Sequence, residues 1–440
     1  MSRRLLCVYQ HAPTPGAPGI YRHRLLLSGL VERGWEVDLV STPVNYMTGV
    51  TDPNYAGKPY IRESIDGVEH HWVWASSRIH ASRARRATNY LSFAATALAR
   101  SGTLRRPDVI MVSSPPLSVA ALGPVLAGRF RRPWVLEVRD PWPDTAGVAG
   151  WLSEDSTLWE LIGRAQHRLT TSAAAVVVQT PGLVGRALRQ NARMVGVVPP
   201  AVLDRRIDDR RRAIKRAELG LEDDACLFVY TGAVGLLNGL DTLLDAVRLV
   251  ADDLAFQVAV VGDGSARRSL DERIARERIG RVRLIGAVGK DEVADWLAAA
   301  DVCLHLLRPD ERLAYALPSK VFEYFGAHRP FVTTASGVAQ RLAERSGGSF
   351  AADANALAVE LARWAGMSVA ERSERGEQAF DYGSRLFGRD TVVDRLESLL
   401  AHVVASRSSR TGSSKSAVCR VEGRAPHRDS SLSASAKTRS

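Results

Sequence analysis

The sequence predicts an α/β chain of two doubly wound, Rossmann-like domains in succession, facing a cleft and followed by a disordered C-terminal tail. Three observations predict it. Short Val/Leu/Ile runs alternate with helix-length periodic segments, the pattern of parallel sheets covered on both faces. The alternation stops at Pro199-Pro200 and a polar run, Leu203 to Arg216, then starts again. The length, 440 residues, exceeds what one hydrophobic core organises.

Arg4 to Tyr9 reads as a buried strand, followed by a Pro/Gly-rich loop through Gly19, an amphipathic helix ending near Gly34, and a strand from Glu36 to Ser41. Asp108 to Ser113, Trp134 to Arg139 and Ala174 to Gln179 are further strands, with a helix over Leu117 to Phe130. In the second half, Leu227 to Tyr230, Gln257 to Val261, Val282 to Ile285, Val302 to Leu307 and Phe331 to Thr334 are strands separated by helix-length segments. The expected divisions are an N-terminal domain 1–200, an interdomain region 201–216, a C-terminal domain 217–385, a helix 386–405 that could return to the N-terminal domain, and a tail 406–440.

The chain is 45% hydrophobic and 24% charged, ordinary for a globular enzyme, which excludes global disorder. Its formal charge is +11, of which the tail holds eight Lys/Arg against Glu422 and Asp429. Such a Ser/Arg/Lys-rich segment buries too little apolar surface to offset ordering, and reads as a solvated tail rather than a nucleic-acid arm. Cys7, Cys226, Cys303 and Cys419 share no metal-ligand or framework spacing, which suggests a reducing compartment. No run reaches the ~18 apolar residues of a membrane span, and Met1 to Pro13 is too polar for a signal peptide, so a cytoplasmic location is expected.

Ligands of doubly wound sheets bind at the carboxyl ends of strands, so those positions hold the candidates. After Tyr230 come Gly232, Gly235, Asn238 and Gly239, and after Val261 come Gly262 and Gly264. These loops can bring backbone N–H groups to a phosphate, or simply permit tight turns. Beyond the strand ending at Leu307, Leu317-Pro-Ser-Lys-Val-Phe-Glu323 opens a helix: Ser319 can cap it, while Val321, Phe322 and Phe325 form its buried face. Lys320 and Glu323 are neighbours on another face, either a solvent-facing pair or a cation for a diphosphate beside an acceptor for a sugar hydroxyl. The cleft position of a helix start favours the second. Asp140 follows the strand ending at Arg139 and reads as a general base, a charge stabiliser or an Asx turn. His11 to Gly19, with Arg22 just beyond, could bind an anionic acceptor or cap the next helix.

Together these segments resemble the family 4 glycosyltransferases of GT-B fold, from about residue 4 to residue 400. The resemblance rests on Gly19-Ile-Tyr-Arg22 with Leu30-Val-Glu-Arg-Gly-Trp-Glu-Val37, on Ser113-Ser-Pro-Pro116 and Arg139-Asp-Pro-Trp-Pro143, on Tyr230-Thr-Gly-Ala-Val-Gly235, on Gly262-Asp-Gly264, and above all on Leu317 to Glu323. It is similar to the exopolysaccharide and O-antigen subgroup that includes colanic acid and fucosamine transferases. The resemblance implies a retaining, metal-independent, cofactor-free transferase using a nucleoside diphosphate sugar, UDP slightly ahead of GDP, and a glycan or polyprenyl-linked acceptor. It implies that Gly19 faces the acceptor, that Asp140 takes the catalytic position, that Ser319, Lys320 and Val321 hold phosphates, and that Glu323 binds ribose.

Departures accompany it. The family often carries a second glutamate where this chain has Tyr315, with Asp310 and Glu311 just upstream. The basic positions of its donor glycine loop are Ala233 and Asn238, which leaves Lys320 or Arg308 to supply phosphate charge. Trp72, Trp74, Arg78, Arg83, Arg85, Arg86 and Tyr90 suit contact with an anionic lipid surface or a solvated basic loop equally. A nucleotide-sugar epimerase and a non-catalytic nucleotide-sugar-binding scaffold are the competing readings.

Overall fold

The structure is a computed structural model. It describes residues 2–408 apart from 18, 20, 141, 149, 151, 207–208, 309–313 and 316, so the tail beyond 408 and Asp310 and Glu311 lie outside the described residues.

Two α/β sheets form, as the alternating pattern requires. The first contains β1 (Arg4–Val8), β2 (Glu36–Ser41), β3 (Tyr60–Ile65), β4 (Val68–Val73), β5 (Val109–Ser114), β6 (Trp134–Val138), β7 (Ala175–Val178) and β8 (Val195–Val197). Their order is β3-β4-β2-β1-β5-β6-β7-β8, parallel except for β3 against β4. The second contains β9 (Cys226–Thr231), β10 (Phe256–Val261), β11 (Val282–Gly286), β12 (Val302–His305), β13 (Phe331–Thr333) and β14 (Ser349–Phe350), all parallel, in the order β11-β10-β9-β12-β13-β14. In both, chain order reverses beside the first strand, which opens a crevice at the strands' carboxyl ends.

The region from 60 to 101 differs from a basic loop. Val68–Val73 pairs with Tyr60–Ile65 as a hairpin turned at Asp66-Gly67, both of which have positive φ. Trp72 is buried, and its indole N–H donates to Glu63. Trp72 is therefore core and cannot meet a lipid surface. Arg83 to Tyr90 lie in the helix Arg83–Ser101, whose first turn is capped by the Ser82 hydroxyl accepting from the Arg85 amide at 3.1 Å.

The polar run after β8 also has a structural task. Asp209–Glu218 is a helix docked on the second domain, where Arg212 and Arg216 reach the buried carboxylate of Asp301 at 2.6 and 3.0 Å. At the other end, the helix Val369–Phe387 packs on Lys320–Gly326, with Phe387 edge-on to Phe322 at 5.2 Å. The next helix, Arg389–Ser408, crosses to the first domain. There Arg389 pairs with Glu32 at 2.6 Å, Arg33 with Asp394 at 2.6 Å, and Val393 fills the space left by Gly29. The two chain crossings touch, since the Val202 amide donates to the Phe387 carbonyl at 2.7 Å.

Candidate active site

The wall supplied by the second domain is built on glycines. Gly232 has φ +128° and Gly262 φ +145°, conformations that disfavour any side chain. A Cβ on Gly262 would collide with the Gly232 carbonyl, and one on Gly264 with the Val234 carbonyl. The Val234 amide also donates to the Asp263 carbonyl at 3.0 Å. Gly262 and Gly264 are thus required for two loops to lie against each other. Gly235 and Asn238 close a short turn, with the Asn238 side chain accepting from the Gly235 amide at 3.3 Å. Asn238 is in this way a turn-forming residue whose side-chain oxygen is already used.

Behind Gly232 lies the amine of Lys320. Its Nζ stands 4.0 Å from the centre of the Tyr230 ring, and a Cβ on Gly232 would come within 3.0 Å of it. It is buried, with no hydrogen-bond partner among the described residues. Burial, opposed by nearby Glu323, pulls its pKa down to about 7. A side chain at Gly232 would fill the space beside this ammonium.

Glu323 is one turn along the same helix and lines a cavity of about 400 Å³ between the domains, together with Gly19, Tyr21, Arg205, Lys290 and Ser319. Burial pushes its carboxyl above the usual range, opposed by Arg205, Lys290 and Lys320. Three cations on this cavity are consumed within the first domain or by its C-terminal cover: Arg24 by Asp66, Arg389 by Glu32 and Arg22 by Glu137. Among the described residues Arg205 and Lys290 have no carboxylate within ion-pair distance, and Lys290 instead lies 3.9 Å from the centre of the Tyr21 ring, across the cleft. Neither cation stood out in the sequence. One lies in the interdomain run and the other begins the helix Lys290–Ala299, so only the fold brings them to Glu323.

Several expectations need correcting. Ser319 precedes the helix Lys320–Gly326, but its side chain makes no cap bond. Val321 is fully buried in the core, and its amide donates to the Pro318 carbonyl at 3.1 Å, so it is not free to hold phosphate. Arg22 is not open to an anion, because its guanidinium donates to Glu137 and, at 2.6 Å, to the Val198 carbonyl. Arg308 is exposed at the end of β12, with its amide donating to Leu237 at 2.9 Å. Tyr315 lies in a contact between the domains: its carbonyl accepts from Thr180 at 3.0 Å, and its Cβ sits against Gly182.

The wall supplied by the first domain centres on the ends of β1 and β6. Asp140 follows β6 and is exposed, and desolvation by its surroundings raises its carboxyl pKa, opposed by Arg139. His11 follows β1, and burial together with Arg139 lowers its pKa to about 3, so the ring is neutral. Gly19 packs on Pro13 and lines the interdomain cavity. Beneath them lies Glu137, in the middle of β6, with one carboxylate oxygen on Arg22 and the other 2.6 Å from His23 Nε2. Burial alone would raise its pKa, yet His23 and Arg22 hold it well below the carboxylate range. A lone carboxylate inside Val-Leu-Glu-Val was a legible sign that a buried partner had to exist.

Two doubly wound domains meeting across a cationic cleft define a protein of GT-B architecture. A model described as glycosyl transferase 4-like domain matches residues 19–201, and one described as glycosyl transferases group 1 matches residues 225–366. The probable glycosyltransferase WbjE of Pseudomonas aeruginosa is 25% identical over 247 residues, 52% of this chain and 57% of that protein. A D-inositol 3-phosphate glycosyltransferase of Streptomyces scabiei is 34% identical over 153 residues, 32% of this chain and 33% of the other. The aligned parts thus span about half or less of these relatives' length. Among solved structures, sucrose-phosphate synthase of Thermosynechococcus elongatus superposes with a TM-score of 0.70 at 18% identity, over 92% of this chain and 100% of the other. Anabaena HepE, in complex with UDP and glucose, superposes with 0.66 at 14% identity, over 91% and 100%. The chain belongs to the GT-B glycosyltransferase family.

Described helices include none long and apolar enough to cross a membrane.

Proposed function

We propose that the chain is a retaining glycosyltransferase. It moves a hexosyl or N-acetylhexosaminyl group from a nucleoside diphosphate sugar to a glycan or lipid-linked acceptor in cell-surface polysaccharide biosynthesis, in the cytoplasm and at the inner face of the membrane. The observation that carries this reading is the buried, unpartnered ammonium of Lys320 beside Gly232, at the end of β9 and one helical turn from Glu323. An anion placed there gains a charge-assisted contact where water is scarce. UDP is favoured as the nucleotide because a structure of the same fold holds UDP and glucose.

In this reading Lys320 offsets the charge that grows on the departing diphosphate, which is the largest electrostatic demand of the transfer. Glu323 accepts from ribose hydroxyls, with Arg205 and Lys290 opposing the upward push that burial gives its carboxyl. Asp140 faces the sugar carbon from the other wall, where its carboxylate stabilises positive charge while the acceptor hydroxyl attacks the face that the diphosphate leaves. Titration calorimetry of UDP into the whole protein tests the donor site. Glu323→Ala is expected to raise the UDP Kd roughly tenfold, the worth of hydrogen bonds to a charged acceptor. An unchanged Kd would remove Glu323 from the site. Sugar transfer that requires an added acceptor separates this reading from epimerisation, which turns over without one.

A further inference from the structure

The helix Lys320–Gly326, which supplies Lys320 and Glu323, closes on His328 in the left-handed region, at φ +56°. The His328 amide donates to the Phe325 carbonyl and the Arg329 amide to the Tyr324 carbonyl, both at 3.0 Å, the paired bonds of a helix end at which glycine is the preferred residue. A Cβ in this conformation is uncommon and carries a backbone cost that glycine would avoid. An offsetting gain is then expected from the ring itself.

The ring is buried and stacks on Phe380 of the helix Val369–Phe387, with centroids 3.8 Å apart and planes 15° from parallel. Its two edges meet two different segments. Nε2 lies 3.1 Å from a carboxylate oxygen of Asp204, while Nδ1 lies 3.1 Å from Glu377 and 3.0 Å from an amino group of Arg206, which itself pairs with Glu377. One imidazole thus ties the run between the domains to the helix Val369–Phe387. A Cβ on Gly376 would collide with the His328 carbonyl, so that helix lies directly on the backbone that carries the ring. Between the two clamped residues stands Arg205. Its amide donates to the Gly326 carbonyl at 2.8 Å, and its side chain lines the interdomain cavity with Glu323.

We propose that His328 is a positioning residue of the donor site: it clamps residues 204 and 206 and so holds Arg205 facing Glu323. The inference rests on the donor reading above, in which Glu323 meets the nucleotide. The exposed ion pair of Arg206 with Glu377 adds little by itself, because water and salt screen it. The buried ring is different, since Phe380 fixes one face and the polar groups fix both edges. Among the cations that oppose the effect of burial on the Glu323 carboxyl, Arg205 comes first, ahead of Lys290 and Lys320. Loosening residues 204–206 lets Arg205 leave Glu323, and the carboxyl then titrates at higher pH.

The test is calorimetric titration of UDP into the full chain from acid to alkaline pH. His328→Gly suits the left-handed backbone, so a role confined to ending the helix predicts an unchanged Kd. The clamp predicts a Kd raised about fivefold, the worth of one net hydrogen bond. It also predicts that the loss of affinity in acid, as Glu323 takes up a proton, begins at higher pH in the variant, while the alkaline loss set by Lys320 stays at about 7. Arg205→Gln is expected to weaken UDP binding by a similar factor, and adding His328→Gly to it to cost nothing further. Asp204→Ala, at an exposed side chain, repeats the comparison should His328→Gly fold poorly. A wild-type Kd and pH profile in His328→Gly, with Glu323→Ala still weakened, would overturn the clamp and leave the donor reading intact; so would losses that simply add in the double variant. An unchanged Kd in Glu323→Ala would strike the donor reading itself, and this inference with it.

Discussion

Lys320→Met is expected to make the protein more stable at neutral pH and to weaken its UDP binding by about ten- to a hundredfold. The two effects share a cause. In the folded chain burial pulls the Lys320 pKa to about 7, against an ordinary value of 10.5. Between those values the unfolded chain holds a proton that the folded chain does not, so stability rises with pH across that window. At pH 7 and below, folding carries nearly the full cost of an unpaired buried ammonium, on the order of 3 kcal/mol after allowing for solvent relaxation. Methionine of similar length removes that cost, offset in part by the lost contact with the Tyr230 ring. The thermal midpoint should rise by roughly 5 °C at pH 6.5, and the advantage should fade as pH approaches 10. Binding carries the opposite sign. A diphosphate favours the protonated amine, so wild-type UDP affinity should fall as pH rises through about 7, with proton uptake visible as a buffer-dependent binding enthalpy at pH 8. A lower midpoint in the variant at pH 6.5, or UDP affinity equal to wild type, would contradict this account.

Glu137→Ala is expected to be the most damaging single substitution in the first domain, costing about 3–5 kcal/mol. The alanine leaves the Arg22 guanidinium buried with only the Val198 carbonyl, and leaves His23 Nε2 without its acceptor. Because the folded carboxyl is held well below its ordinary value, the pair's contribution is present at neutral pH and lost only as pH falls through that depressed value. Wild type should therefore lose stability steeply in acid, and the variant should lack that part of the slope. A double-mutant cycle with Arg22→Met checks the pairing. If the interaction is as drawn, the double variant is less destabilised than the sum of the singles.

How far residues announced their roles depended on the range of the forces involved. The parallel strands were legible because a strand buried on both faces must be almost wholly apolar, as Cys226-Leu-Phe-Val-Tyr and Phe256-Gln-Val-Ala-Val-Val are. The hairpin of β3 and β4 was not, because Arg62, Glu63, Glu69 and two histidines interrupt the pattern, and their partners Asp38 and Tyr55 come from elsewhere in the chain. Lys320 and Glu323 could be singled out from a strand end followed by a helix start. Arg205 and Lys290 could not, since 84 residues of sequence separate two groups that meet only when both domains are in place. Ser319 and Val321 fitted the local pattern of a phosphate-binding helix start, yet local pattern does not reveal that the Val321 amide is taken by the Pro318 carbonyl or that the Ser319 side chain leaves the helix uncapped.

The backbone contact between Val202 and Phe387 has a mechanical meaning. Two domains joined by one covalent strand can swivel as well as gape, and their facing walls can return misaligned. Here the outgoing and returning strands lie side by side, bonded to each other, and the helix Arg389–Ser408 is anchored to the first domain beyond them. Such a seam acts as a door hinge. It resists torsion between the wall that holds Lys320 and the wall that holds Asp140 more than it resists bending about one line.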